Sequence, residues 1–359
     1  MKKRTIKTIG VGAAAGGLFD ALDIILPWML GPLLVIMVLN QWTPVKLTLP
    51  SFWRNAGLLF LGISLGTSFT TESIEPAVRF FPYLAVLTIA ITALTIGMAH
   101  LFSQKTGVDT GTAVLGSLPG GLSQMVLIAD EHPNVDASVV TVMQTLRLFM
   151  VVTTVPFLVS AIHRDHAASV IPANALPAHH LSFGEWIFIA GIVAAGIFLF
   201  KQGKLPTPYL LGPMCAVIVW NLTGGSPFHL PYWIIAASQV VLGVYIGLKM
   251  NITGKTVPLR QLGLLFAMNG ILVAFCLAAA VVIHHWTGFP YLDLFIGLAP
   301  GGVAEMAVTA MSTGADIAAV TSFHLFRVFF ILFIAAPLTA RWLKKRRNDT
   351  NLGVSPPSG

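Results

Sequence analysis

Apolar residues fill most of this chain in long runs, and short polar stretches separate the runs. Each run covers about 17–25 residues, the length of a helix that crosses the hydrocarbon core of a bilayer. The pattern predicts six apolar helical elements in each half. In the first half they are roughly 5–22, 25–40, 54–70, 80–102, 110–130 and 136–160; in the second half they are roughly 184–200, 207–222, 231–249, 260–283, 293–312 and 316–340. The predicted fold is therefore an all-α integral membrane protein.

Polar segments between and after these elements divide the chain into four parts. We expect a first membrane repeat at 5–160, a polar linker at 161–183, a second membrane repeat at 184–340 and a basic disordered tail at 341–359. The N-terminal start is basic and rich in small residues, as in a secretion signal. It aligns with a membrane helix of the second half, so we expect it to be retained.

The two halves resemble each other when the chain is compared with itself at a shift of 181 residues. The matched positions are mostly Gly and Pro: Gly31-Pro32 with Gly212-Pro213, Gly62 and Gly66 with Gly243 and Gly247, and Pro119-Gly120-Gly121 with Pro300-Gly301-Gly302. The sequence thus predicts an internal duplication in which the fifth element of each half carries a Pro-Gly-Gly break.

The distribution of charge predicts how the chain is oriented. Only 10% of the residues are charged, against roughly 25% in a typical soluble domain. The net charge of +7 comes from Lys and Arg in short loops and at both ends, so no nucleic-acid partner is expected. If the fifth element enters and returns on one side, 17 of the 21 Lys and Arg residues lie on the side of the termini. This favours inverted repeats with five crossings each and cytoplasmic termini.

The Pro-Gly-Gly breaks are the first candidate for a functional site. About ten residues precede each break, so each arm is roughly 15 Å long and ends near the bilayer midplane. Broken backbone at that depth is tolerated only where it is buried in protein or lines an aqueous cavity. Matched breaks in inverted halves point to a transport site. A simple packing kink is the alternative interpretation.

Polar side chains of the sixth elements are predicted to face these breaks. Asp136 and Asp316 are expected to be N-caps. An arginine follows each of them 11 residues later, roughly 16 Å along the helix and near mid-membrane. The matched trios are Thr141, Gln144 and Arg147, and Thr321, His324 and Arg327. Two roles remain open for the arginines: capping of carbonyls freed by the break, or binding of a substrate or counter-ion.

The residues just after the breaks differ between the halves. The first half has Ser123-Gln124, whereas the second has Ala304-Glu305. We expect the unmatched Glu305 to carry a proton or Na⁺, or else to pair with Arg327. The complete set of predicted substrate-binding residues is Pro119, Gly120, Gly121, Ser123, Gln124, Gln144, Arg147, Pro300, Gly301, Gly302, Glu305, His324 and Arg327.

No catalytic residue, metal or cofactor is expected from the sequence. The ten histidines form no intramembrane cluster with acidic partners, and His324 stands alone. Cys215 and Cys276 lie in apolar segments without metal-like spacing, which is typical of buried packing.

A resemblance to a known family follows from these motifs. The doubled G-x-x-P-G-G-x-x-x-M, the following D-x-x-x-V-T-x-x-x-x-x-R, and the LGP and LGxxxG of each half resemble the AbrB-type bacterial membrane family over residues 5–340. Members of that family carry labels as ammonia monooxygenases, as regulators of gene expression and as transporters. The chain is not similar to the small soluble DNA-binding regulator of the same name. More distantly, its plan is similar to that of bile-acid symporters and cation/proton antiporters.

We hypothesise a secondary transporter of a small metabolite in the bacterial inner membrane. Two half-helices that begin at the breaks direct free amides and positive dipole ends at the midplane, so an organic anion is the expected substrate. Proton or Na⁺ coupling is expected at Glu305. A membrane protein that regulates gene expression is the alternative, and ammonia monooxygenase activity is disfavoured because no metal site is visible. The expected partners are the lipid bilayer and the substrate, and a homodimer is left open.

Overall fold

The computed structural model describes residues 2–43, 46–162, 182–226, 228–250 and 257–351. Side chains are described outside the helical stretches 2–3, 71–81, 122–123 and 347–351. All regular structure in the described residues is helical, as predicted. The helices of the first half are α1 (Lys2–Ala21), α2 (Pro27–Trp42), α3 (Ser51–Thr67), α4 (Thr71–Thr106), α5 (Thr110–Ser117), α6 (Leu122–Asp130) and α7 (Ala137–Ile162).

The second half repeats this order of helices. They are α8 (Phe183–Gln202), α9 (Pro208–Leu222), α10 (Tyr232–Lys249), α11 (Leu259–Thr287), α12 (Tyr291–Leu298), α13 (Val303–Thr313) and α14 (Ile317–Phe330), which continues through a π turn (Ile331–Ala335) into α15 (Ala336–Asn351). The fifth element of each half is thus the broken pair α5–α6 or α12–α13, as predicted.

Several helices are long and apolar enough to cross a membrane. Within the described ranges there are six of them: the part of α4 from Pro82 to Thr106, α7, α8, α10, α11, and the stretch Ile317–Arg346. The helices α2 and α9 are apolar but shorter. The chain is accordingly a multi-pass membrane protein.

The turn before the second helix of each half has an unusual backbone that occurs in both halves. Asp23 and Leu26 have positive φ angles of 51° and 54°, and Lys204 and Thr207 have 51° and 42°. Asp23 matches Lys204 and Leu26 matches Thr207 at the shift of 181 residues. Such angles are uncommon for residues other than glycine. Proline then begins α2 and α9, where its missing N–H costs nothing.

The two halves pack against each other through their second and third helices. The third helix of each half packs against the second helix of the other half, so α3 lies on α9 and α10 lies on α2. Glycine permits the close approach, because a Cβ atom at Gly62 would collide with the carbonyl oxygen of Leu210. A Cβ atom at Gly243 would collide with that of Met29 in the same way. The two LGxxxG motifs are therefore contacts between the halves.

Each broken element is a hairpin whose open end lies beside the start of the sixth helix. Near the start of α5, the Thr112 hydroxyl accepts a hydrogen bond from the amide of Asp136 at 3.0 Å. Near the start of α12, the Asp293 carboxylate accepts one from the amide of Asp316 at 2.9 Å. Because Asp136 and Asp316 also follow the second arms closely in sequence, each element turns back at its break. Both aspartates cap the helix that follows, as predicted.

The C-terminal segment differs from the prediction. Residues 341–351 are helical and belong to α15, rather than to a disordered tail. Leu343 is buried against Gly111 of α5, and Arg346 pairs with Asp109 at 3.3 Å. These long-range contacts stabilise a helix whose basic composition alone indicates disorder. Residues 352–359 and most of the predicted linker, 163–181, lie outside the described residues, so the linker stays a prediction.

Candidate functional site

The two breaks have the same backbone conformation. In the first, the amide of Gly120 donates to the carbonyl of Leu118 across Pro119 at 2.8 Å; in the second, the amide of Gly301 donates to Ala299 across Pro300 at 2.8 Å. Such a tight turn ends the first arm, and the proline ring prevents its continuation. The second arms then begin after the N-caps Gly121 and Gly302.

A methionine packs closely over the glycine inside each of these turns. A Cβ atom at Gly120 would lie 2.8 Å from Cε of Met125, and one at Gly301 would lie 2.8 Å from Cγ of Met306. Both methionines are fully buried. The same Cβ at Gly120 would also lie 2.9 Å from Ile331. Since Ile331 follows α14, the first break lies against the sixth helix of the second half.

Arg147 binds the carbonyls of the first break. Its Nη1 donates to the carbonyls of Ser117 and Leu118, both at 2.8 Å, and its Nη2 donates to Oε1 of Gln144 at 2.7 Å. The amide of Gln144 in turn donates to Leu115 at 2.7 Å and to Leu118 at 2.9 Å. Of the two roles left open by the sequence, capping of the broken backbone is the one that these contacts display.

Arg327 makes the matching contacts at the second break. Its Nη1 donates to Leu298 at 3.3 Å and Ala299 at 2.7 Å, and its Nη2 donates to the carbonyl of Gly301 at 2.6 Å. Nη2 also lies 2.7 Å from Nδ1 of His324, whose Nε2 is 3.0 Å from the carbonyl of Ile296. Because the arginine can only donate, Nδ1 is the acceptor, and because a carbonyl can only accept, the ring proton lies on Nε2. This histidine is therefore neutral.

The guanidinium groups keep unused donors. A guanidinium has five N–H groups; Arg147 uses three of them and Arg327 uses four. Nε of each arginine is buried and has no partner among the described residues. Both charges are nearly inaccessible to solvent, with 6% of Arg147 and 3% of Arg327 exposed. Buried cations with spare donors favour a negatively charged neighbour.

Glu305 and Gln124 occupy the first turn of the returning arms. Both side chains fold back over the N-cap glycine: a Cβ atom at Gly302 would collide with the Glu305 carboxylate, and one at Gly121 would lie 3.6 Å from Oε1 of Gln124. The carboxylate therefore sits at the positive end of α13. Within the described residues it forms no ion pair with Arg327. The side chain of the predicted site residue Ser123 lies outside the described residues.

Arg54 is a charged residue near this site that the sequence did not single out. It lies in α3, which contacts α13, the helix of Glu305, and it places its guanidinium 4.7 Å from the ring centre of Tyr245. Its matched position holds Ile235, and Tyr245 matches Ser64. This mismatch was visible in the sequence.

The described residues contain no group of three His, Cys, Asp or Glu that could hold a metal ion. Cys276 instead donates from its thiol to the carbonyl of Leu298 at 3.4 Å. His324 is committed to Ile296 and Arg327 on its two ring nitrogens. At both breaks, polar side chains therefore form hydrogen bonds with the backbone and with each other.

One protein family matches a region of this chain that includes both breaks and both arginines. A family described as "Transition state regulatory protein AbrB" matches residues 28–344. The chain belongs to the AbrB family. It is also similar to two curated proteins of similar length. "Uncharacterized protein YhjN" of Bacillus subtilis is 28% identical over 348 residues, which cover 92% of this chain and 90% of YhjN. "Putative regulator AbrB" of Escherichia coli is 25% identical over 318 residues, which cover 88% and 89%.

Proposed function

We propose that this AbrB-family protein is a secondary transporter of a small organic anion. The observation that carries the proposal is the pair of matched hairpins, each broken at Pro-Gly-Gly and each held at its break by a buried arginine. Breaks of this kind within a membrane protein create free amides and carbonyls away from lipid, which is how many transporters bind substrate and ion.

An anion fits the charges around the breaks. Two guanidinium groups and the N-termini of α6 and α13 supply positive charge, and Glu305 is the carboxylate at the start of a returning arm. In the first half the same position holds the neutral Gln124. The surplus is positive, so an arriving carboxylate would be stabilised by dipole ends and by the spare arginine donors.

Inverted repeats would let one site open alternately to the two sides. The reciprocal packing of α3 on α9 and of α10 on α2 supports a duplication, as do the matched turns at Leu26 and Thr207. The hairpin form of the fifth elements supports an odd number of crossings per half, for which the distribution of Lys and Arg favours cytoplasmic termini. On this proposal the protein lies in the bacterial inner membrane. A homodimer stays a prediction.

Transport in proteoliposomes tests the proposal directly. Purified full-length protein is reconstituted, and uptake of radiolabelled lactate, butyrate, succinate and citrate is followed with and without an imposed proton or Na⁺ gradient. We expect saturable uptake of at least one of these anions above that of empty liposomes, and competition by its unlabelled form. If a folded sample takes up none of them under either gradient, the proposal is wrong.

A regulatory role is the second candidate, because the Escherichia coli relative is named as a regulator. In the described part of the chain, basic sequences beyond the apolar core lie at the start of α1 and in α15, and both are too short to form a separate domain. A regulator built this way would act through the concentration of the transported metabolite. Loss of transport in an Arg147 variant should then change gene expression, whereas truncation of α15 after Arg346 should not.

A further inference from the structure

A small cavity lies beside the first break, between α4, α5, α7 and α11. Its volume is about 20 Å³, and Arg147 forms part of its wall. That is room for roughly one water-sized group. Three methionines, Met98, Met143 and Met268, form much of the remaining wall, and Asn269 adds an amide.

The second half differs at the corresponding wall. Phe323 replaces Met143 there, and its ring packs closely against Gly297, since a Cβ atom on that glycine would lie 2.9 Å from it. Cys276 replaces Thr95, another residue of the cavity wall, and its thiol is bound to the Leu298 carbonyl. At these two positions the wall of the cavity therefore differs from the corresponding region beside the second break.

Two residues that line the cavity, Arg147 and Asn269, keep unused hydrogen-bond donors. Arg147 keeps its Nε–H and one Nη2–H, and Nε has no partner within the described residues. The side-chain amide of Asn269 donates one hydrogen to the Leu265 carbonyl at 2.8 Å and has a second hydrogen to give. No described carboxylate forms an ion pair with Arg147. A buried cation beside a cavity without an acid is a place for an anionic group.

We propose that this cavity binds the carboxylate of the substrate, and that the substrate is a small monocarboxylate with a short apolar body. The inference rests on the proposed transport function and adds where the anion binds and which class it belongs to. The carboxylate accepts hydrogen bonds from the spare donors of Arg147 and from Asn269, while the carbon chain lies among the methionines.

The composition of the wall carries the choice of a monocarboxylate. Among the described residues that line this cavity, Arg147 is the one cation. A second carboxylate on the same ligand would lie against thioether and Leu side chains, Ser117, and Thr95, whose hydroxyl already donates to the Ile91 carbonyl. Without a second cation to pair with, its burial is strongly unfavourable. Methionine side chains are unbranched and adapt their shape easily, so the small cavity can widen around a short carbon chain. A dicarboxylate gains nothing from that adaptation.

Binding to the purified full-length protein tests this inference. Dissociation constants are measured by titration calorimetry for lactate and butyrate, and for malonate and succinate, with chloride as the control for a general anion effect. We expect both monocarboxylates to bind at least about tenfold more tightly than either dicarboxylate. The Met143→Phe variant, which copies the residue of the second half, should weaken lactate and butyrate binding by roughly ten- to hundredfold.

A matched pair of variants separates the site from effects on folding. Asn269→Leu removes a donor at nearly constant volume and should weaken binding by about tenfold. Phe323→Met makes the reverse exchange in the second half, where Arg327 has only its Nε–H unused, and should leave binding unchanged. Thermal melting and gel filtration of each variant check that it is folded.

The outcomes distinguish this inference from the proposed function. If Met143→Phe and Asn269→Leu are folded and bind lactate and butyrate as well as the wild type does, the cavity is not the carboxylate site, although transport still stands. Tighter binding of succinate or malonate by the wild type contradicts the monocarboxylate class without any variant. Failure of the wild type to bind or take up any carboxylate overturns both proposals.

Discussion

Replacement of Arg327 by methionine tests the role of the arginines at the breaks. Methionine keeps most of the aliphatic volume but removes all four hydrogen bonds of the guanidinium. The carbonyl of Leu298 keeps the thiol of Cys276, and that of Ala299 keeps the amide of Gly301. The carbonyl of Gly301 and Nδ1 of His324 lose the arginine as their hydrogen-bond donor.

The cost can be worked out from these bonds. Hydrogen bonds to charged groups contribute roughly 1.5–3 kcal/mol each, but removal of a buried charge returns part of its desolvation cost. We therefore expect Arg327→Met to lower the free energy of unfolding by about 3–5 kcal/mol. Arg147→Met breaks three bonds instead of four and should cost about 2–4 kcal/mol.

Equilibrium unfolding by sodium dodecyl sulfate in mixed micelles, followed by tryptophan fluorescence, measures these differences. Arg260→Met is the control, because Arg260 is exposed near the start of α11 and should change stability by no more than about 0.5 kcal/mol. Values within about 1 kcal/mol of the wild type for both Arg147→Met and Arg327→Met would refute the capping role. Loss of anion uptake by such stable variants would instead assign the arginines to substrate binding alone.

Three further predictions concern packing, topology and coupling. Gly62→Val should destabilise the protein by roughly 1–3 kcal/mol or prevent folding, because its side chain collides with the Leu210 carbonyl. The control is Gly97→Val, whose Cβ would have nothing within 4 Å and which should be tolerated in the same unfolding assay. For topology, single cysteines are introduced into a variant without Cys215 and Cys276. Cysteines in the linker at 163–181 should react with a membrane-impermeant maleimide added outside intact cells, and cysteines in 352–359 should not. The opposite pattern contradicts cytoplasmic termini. Glu305→Gln should still bind the substrate but lose the dependence of uptake on a proton or Na⁺ gradient, whereas unchanged gradient dependence in proteoliposomes would leave Glu305 a structural role at the start of α13.

Short-range features of the sequence were enough to predict the elements and their breaks. Apolar runs of bilayer length predict the helices because the membrane leaves the backbone few other ways to satisfy its amides. Pro119 and Pro300 end a helix wherever they occur, since the missing N–H and the ring act on the preceding turn. Asp136 and Asp316 cap their helices for an equally local reason. The alignment of the sixth elements, at a shift of 180 residues, then placed Arg147 and Arg327 at the same depth as the breaks.

Contacts between distant parts of the chain were decided only by the tertiary structure. The sequence left open whether the arginines bind backbone or ligand, because the carbonyls of residues 117–118 and 298–301 become their partners only when each hairpin folds against its sixth helix. It also could not bring Arg54 towards Glu305, or Leu343 onto Gly111, since these pairs are far apart in the chain. Pattern and propensity act over a few residues, whereas charge compensation and packing depend on which helices become neighbours.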